Sequence, residues 1–234
     1  MTRPRIPNYC GKPISSRSRY ARLAGHRCFD LKGHPGTCSE FPYLEHLGSE
    51  APKVRQKIIR DATMTTGAAW ASDDAGPNRI LRWAMLESDQ VLRRFGIDMA
   101  SLKPGVVAKL REKAAPYEAC MLVAQKLTAL VYGMANAPDV PSDVRSYLAS
   151  ATGAPISVTT CQVCLLPLDF NLFAAARRGK AEIETAHANP RLHTHDNVGF
   201  AHRECNIAQG AMTLDEFYGW LRDILARVDR SRGR

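Results

Sequence analysis

Cys161-Gln-Val-Cys164, then Ala181-Glu-Ile-Glu-Thr-Ala-His187-Ala-Asn-Pro190, then Asn197-Val-Gly-Phe-Ala-His202-Arg-Glu-Cys205-Asn206-Ile-Ala-Gln-Gly210: this stretch decides how the chain is read. Two residues separated by two others can grip one ion from a single turn. Cys161-x2-Cys164 and His202-x2-Cys205 are therefore two chelating pairs, built from the thiolate and imidazole donors that tetrahedral zinc takes. A Cys3His structural zinc site is expected. Between the pairs, residues 181–190 read as a short strand ending in a loop. Residues 197–210 read as a second strand running into a helix that stops at Gly210, because glycine readily takes the left-handed conformation that ends a helix.

Strand, loop, strand and helix, with these side chains in this order, resemble the HNH endonucleases, the ββα-metal finger family. The resemblance covers roughly residues 158–220, about a quarter of the chain. It implies that His187 is the general base, Asn197 the loop asparagine that helps hold that base in orientation, and Asn206 the helix-borne ligand of a catalytic cation. It also implies that Cys161, Cys164, His202 and Cys205 are the zinc clip found in many members. Many members place an aspartate immediately before the base histidine, where this chain has Ala186. Strand residues two apart face the same side, so Glu184 is the expected substitute, and some members show a Glu-x-x-His form.

Hydrolysis of a phosphodiester needs an activated water, stabilisation of charge on the phosphate and help for the departing 3′ oxygen. A neutral imidazole near pH 7 can take the water's proton, which suits a histidine at position 187. A hard cation, Mg2+ or Mn2+, prefers oxygen donors, which Glu184 and Asn206 supply. Zinc and the catalytic ion are thus expected in separate places. Arg191 and Arg203 are expected phosphate contacts, since guanidinium forks fit phosphate oxygens. His193 and His195, in the loop crossing the site, read as solvated residues.

The chain of 234 residues carries a net charge of +9 and a pI near 9.4, which points to a polyanionic partner, DNA under this reading. Through residue 60 there are 12 Lys+Arg against 4 Asp+Glu, so the N-terminal quarter holds most of the excess. Seven cysteines without a signal peptide favour reduced thiols in an intracellular, cytoplasmic setting, with a phage-encoded origin in a bacterial host compatible. The longest apolar run, Ala119 to Ala135, is interrupted by Gln125 and Lys126 and is too short and polar to span a bilayer.

Three regions follow. Residues 1–48 form a basic, Pro/Gly/Arg-rich segment in which Cys10, Cys28, His34 and Cys38, with His26 as a competing ligand, have the donor types for a second zinc site. Residues 49–151 show helical periodicity. Asn78 is placed to cap a helix through Ile80, Trp83, Ala84, Val91 and Leu92 that closes at Gly96, and Pro104 and Pro116 fit first helical positions. Cys120, Val123, Leu127, Leu130, Val131 and Met134 form one buried stripe. Ser142 is placed to cap a short helix over 143–149. Arg79, Arg82, Arg93 and Arg94 read as the solvated face of this region.

Residues 152–160 are read as the boundary, and residues 152–234 as the nuclease domain. That domain closes on a helix that Thr213 and Glu216 box and that runs through Val228, with Phe217, Trp220, Leu221 and Ile224 on one side. The expected fold class is α+β, mostly helical, with a C-terminal ββα-metal finger. The expected function is a metal-dependent DNA endonuclease of restriction or phage DNA-processing type, with a homodimer compatible. A non-catalytic zinc-dependent DNA-binding protein is the alternative.

Overall fold

In the computed structural model, which describes residues 12, 38–65, 80–94, 97–175 and 181–233, one helix organises the rest. Helix α5 (Tyr117–Tyr132) buries Cys120, Met121, Val123, Ala124, Gln125, Leu127, Thr128 and Val131. A helix buried on more than one side lies inside the fold, not on its surface. Two buried polar side chains on it are bonded: Gln125 Nε2 donates to Tyr147 Oη at 3.0 Å and Thr128 Oγ1 to the Ala124 carbonyl at 2.7 Å. Cys120 is fully buried, as expected of a small hydrophobe, and burial pushes its thiol up to about 11.

Helices α2 (Pro52–Thr63) and α6 (Ser142–Thr152) pack on α5, α1 (Glu45–Glu50) packs on α2, and the short helices α3 (Asp89–Arg94) and α4 (Pro104–Glu112) pack on the 3-10 turns Met99–Ser101 and Arg82–Leu86. Pro104 opens α4 as expected, its missing N–H costing nothing in a first turn. Pro116 precedes α5 as its N-cap instead of lying inside it. The single helix expected over 78–96 is broken: a 3-10 turn covers Arg82–Leu86, Glu87 is extended, and α3 starts afresh after Ser88, whose hydroxyl accepts from the Val91 amide at 3.3 Å. Ser142 is the first residue of α6, and its side chain makes no cap bond.

The segment expected as a boundary is stitched to the end of α5. Thr159 N donates to the Gly133 carbonyl at 2.7 Å and its hydroxyl to the Leu130 carbonyl at 2.7 Å; Ala135 N donates to the Leu168 carbonyl at 2.8 Å. After it come α7 (Phe170–Ala174), strands β1 (Ile183–His187) and β2 (Val198–His202), α8 (Arg203–Gln209) and α9 (Leu214–Ser231). Buried residues from Phe41 to Phe217 form one hydrophobic cluster, with Phe173 meeting Phe200 edge-on at 4.9 Å between centroids.

The capping box of α9 is complete, with Thr213 and Glu216 bonded in both directions. Of the residues expected on its packed side only Phe217 is buried; Trp220 is 46% exposed, and the helix continues past Val228 to Ser231. Among the described residues no helix is long and apolar enough to cross a membrane. Cys10, His26, Cys28, His34, Asn78, Arg79 and Gly96 lie outside the described residues.

Candidate active site and metal cluster

The two strands pair antiparallel, with Glu184 opposite Ala201, Thr185 opposite Phe200 and His187 opposite Val198. Alternation sends Glu184 and Ala186 to one face and Thr185 and His187 to the other. On the first face α8 crosses the sheet: Ala186 is fully buried, and Asn206 Nδ2 donates to Glu184 Oε2 at 3.0 Å. Turning that amide by 180° exchanges its nitrogen for its oxygen, so two hard oxygen donors of the type a divalent cation takes share one spot. Arg203 lies beside them, its Nε 4.0 Å from Glu184 Oε1. α8 ends at Gly210, but with φ +59° and ψ −120°, a backbone outside the left-handed helical well that only glycine reaches readily.

Next to this face, Cys161, Cys164, His202 and Cys205 bring their ligand atoms within 4.8 Å of one another, with Cys164 Sγ 3.3 Å from His202 Nδ1. A tetrahedron with zinc's usual bond lengths has edges of about 3.6–3.8 Å, so small adjustments would close the four around one ion. The backbone is shaped for it. Cys164 N points at Cys161 Sγ at 3.5 Å, and Leu165 takes φ +63°, a costly conformation for a branched side chain that Leu165 N→Cys161 O at 3.0 Å pins in place.

This knuckle docks on β2 through Gln162 N→Phe200 O at 3.0 Å, so closely that a Cβ at Gly199 would sit 2.4 Å from the Gln162 side chain. Burial and the adjacent Cys164 and Cys161 sulfurs push the Cys205 thiol up. Three sulfurs this close ionise together only around a cation, so the donor set fits Zn2+.

On the opposite face, the end of β1 meets the helical region. Thr185 Oγ1 donates to Asp61 Oδ2 at 2.9 Å, and Asp61 also accepts from Lys57 Nζ at 3.1 Å and Arg60 Nε at 2.7 Å. Burial would push the Asp61 carboxyl up, but Lys57, Arg60 and Thr185 together hold it below its ordinary value. His187 Nε2 lies 2.6 Å from His193 Nδ1.

The loop carrying His193 is clamped on three sides. Asn197 Nδ2 donates to the carbonyls of Asn189 at 2.9 Å and Leu192 at 2.6 Å, while its Oδ1 accepts from Asn189 N at 2.8 Å. Arg82, only 4% exposed, donates to the carbonyls of Lys113 at 2.8 Å, Ala62 at 3.2 Å and His193 at 2.8 Å. Lys113 Nζ holds the Pro190 carbonyl at 3.0 Å. From α8, buried Gln209 donates to the His187 carbonyl at 2.9 Å.

Both imidazoles are neutral at pH 7. Burial, then Lys113 and Arg82, push His187 from 6.5 to about 4 against the opposing pull of Asp61. Burial, then Arg82, His187 and Lys113, push His193 to about 3. An unfolded chain protonates these rings below about pH 6.5, whereas the folded chain resists until near pH 4. Their contribution to stability is therefore complete above pH 6.5 and is lost as the pH falls toward 4. For His187 alone the loss amounts to about 2 kcal/mol by pH 5. Urea midpoints compared at pH 7 and pH 5 should show the drop; a midpoint unchanged across that window rules out buried neutral histidines.

Sequence reading brought Glu184 together with Asn206, and the four zinc-type ligands together with one another. His187 lies three residues from Glu184 on the other strand face, with His193 as its ring partner. Arg191 and His195 are exposed, and Arg191 N is turned back to Asn189 Oδ1 at 3.0 Å. Cys38 is half-buried ahead of α1. Two expectations are corrected. Arg82 is a buried clamp, not part of a solvated face, because three main-chain carbonyls satisfy its guanidinium; Arg93 and Arg94 are exposed as expected. His193 is packed against His187, not solvated, because Arg82 and Asn197 draw its loop inward. Asp61, Lys113 and Gln209 were missed, having no motif to mark them.

A family model described as DraIII matches residues 40–205. The fold is similar to the crystal structure of a type II restriction endonuclease, with a TM-score of 0.82 and 41% sequence identity over 95% of this chain and 99% of that chain. No curated protein matches the chain.

Proposed function

This chain belongs to the DraIII family, a restriction endonuclease family, and on that premise we propose that it is a metal-dependent DNA endonuclease with an HNH-type ββα-metal finger at its C-terminal end. The observation that carries this reading is β1 itself. It bears a carboxylate paired with a helix-borne amide and, three residues on, a neutral imidazole held by a braced loop. A phosphate laid across the end of β1 would meet both.

In this mechanism His187, uncharged at neutral pH, accepts a proton from the attacking water. A divalent cation such as Mg2+ or Mn2+, held by Glu184 and Asn206, would supply charge neutralisation at the scissile phosphate. Asn197 positions the base indirectly, by bracing the 189–192 loop. Arg203, at the rim of the Glu184 pair, and exposed Arg191 contact the phosphate backbone.

Cys161, Cys164, His202 and Cys205 hold a structural zinc that fixes α8, and with it Asn206, against β1. The division into a basic DNA-contacting segment at 1–48, a helical body at 49–151 and the nuclease part at 152–234 belongs to the same proposal, as does a second zinc at Cys10, Cys28, His34 and Cys38. Two copies, each with one such site, would cut both strands.

The test is cleavage of supercoiled plasmid with Mg2+, with Mn2+ and with EDTA. Wild type should cut in the first two arms and not in the third. Glu184→Ala and Asn206→Ala should each raise the Mg2+ requirement roughly tenfold or more without releasing zinc, because they touch the catalytic ion only. A wild-type protein that binds but never cuts, across several DNAs including modified ones, is a zinc-dependent DNA-binding module instead. Full activity of Glu184→Ala at ordinary Mg2+ removes Glu184 from the cation site.

A further inference from the structure

We propose that His193 is a positioning residue for His187: its Nδ1 accepts the hydrogen carried by His187 Nε2, which fixes the tautomer that leaves His187 Nδ1 free to take a proton from water. This deepens the assignment of His187 as general base and rests on it.

Two ring nitrogens 2.6 Å apart must share one hydrogen, since two lone pairs at that distance repel and two protons clash. The question is which ring donates. Every charged or titratable group named around the pair discourages a second proton except Asp61: Arg82 on the 3-10 turn and Lys113 after α4 are cationic, and each imidazole opposes charge on the other. The pair is therefore two neutral rings, and its polarity is set by the far nitrogen of His193.

That nitrogen, Nε2, is buried and has no hydrogen-bond partner among the described residues. The backbone group acting on the ring is the Asp61 carbonyl, which favours the protonated ring, and with Nδ1 turned to His187 the nitrogen left for it is Nε2. At the end of α2 this carbonyl lacks its usual helical donor, because Thr65 N turns instead to the Ile80 carbonyl at 2.9 Å. The next carbonyl, of Ala62, is taken by Arg82. A carbonyl can only accept, so His193 Nε2 carries the hydrogen and Nδ1 presents a lone pair.

His187 Nε2 then donates, and His187 Nδ1, which has no protein hydrogen bond among the described residues, is the basic nitrogen. The position of His193 is set by main-chain contacts, Arg82 on its own carbonyl and Asn197 on that of Leu192. The polarity thus passes from the C-terminus of α2 through His193 to the base.

Nitrogen NMR of the full chain reads this directly. Wild type should show His187 as the Nε2-H tautomer. His193→Leu should scramble that tautomer and lower kcat for plasmid cleavage roughly tenfold to a hundredfold, with KM for DNA unchanged. His193→Asn, whose Oδ1 can stand near the Nδ1 position, should restore both the tautomer and most of kcat. If Leu and Asn lower kcat equally and leave the His187 tautomer as in wild type, His193 acts only in packing and the inference fails. If the tautomer follows His193 as described but His187→Gln cuts at the wild-type rate, it is the general-base assignment that fails.

Discussion

His187→Ala is expected to lower the rate of DNA cleavage by about 10²- to 10⁴-fold, with DNA affinity changed by no more than about twofold. The size follows from what the ring does. Proton removal by a positioned base lowers the barrier by roughly 3–5 kcal/mol, and among the described residues no nearby base is free to replace it: His193 is turned toward His187, and Asp61 is saturated by Lys57, Arg60 and Thr185. Affinity is spared because Arg191 and Arg203, the side chains proposed to meet phosphate, are left in place. The substitution also strands His193 Nδ1, an acceptor loss of roughly 1–3 kcal/mol, so a fall in activity must be separated from a fall in folding. His187→Gln makes that separation, since its amide can still donate to His193 yet cannot accept a proton at neutral pH. Both variants folded and inactive support the base; a folded His187→Gln that cuts normally excludes it.

The chelating pairs were legible because ligand spacing is a local property: a Cys-x2-Cys turn and a His-x2-Cys helix start are each written within four residues, and only their meeting required the fold. The strand, loop, strand and helix order was legible for the same reason, and Glu184 came into contact with Asn206 as alternation along β1 requires. Arg82 shows where this stops. In sequence it is an arginine among arginines, and its burial depends on three carbonyls contributed by Ala62, Lys113 and His193, up to 111 residues away. No periodicity encodes such a convergence. The broken helix before α3 has a different cause: the apolar spacing was helical, but Glu87 adopts an extended conformation and Ser88 begins a new turn. Trp220 was expected to pack on hydrophobicity alone and is exposed, because Phe217 and Tyr218 make the contacts that seat α9, the latter donating to the Val163 carbonyl at 2.7 Å.

Loss of zinc should have the other large effect. One ion per chain is expected at Cys161, Cys164, His202 and Cys205, absent in Cys205→Ser, and binding there contributes on the order of 10 kcal/mol to the folded state. The consequence should be regional. The knuckle holds Leu165 in a left-handed backbone, and α8 has only seven residues, too few to persist on helical hydrogen bonds alone. Both depend on the clip. The strands do not depend on it alone, because Ile183, Val198 and Phe200 are buried in the same cluster as α5. Chelation should therefore abolish hydrogen-exchange protection over 161–166 and 203–209, remove Asn206 from Glu184 and stop cleavage, while α5 stays protected. Elemental analysis separates the sites: about two zinc atoms per chain support the Cys10, Cys28, His34 and Cys38 cluster as well, and about one that persists in Cys28→Ser supports the C-terminal site alone. A folded, unstripped protein with no zinc would remove the clip, and with it the main support for a ββα-metal finger.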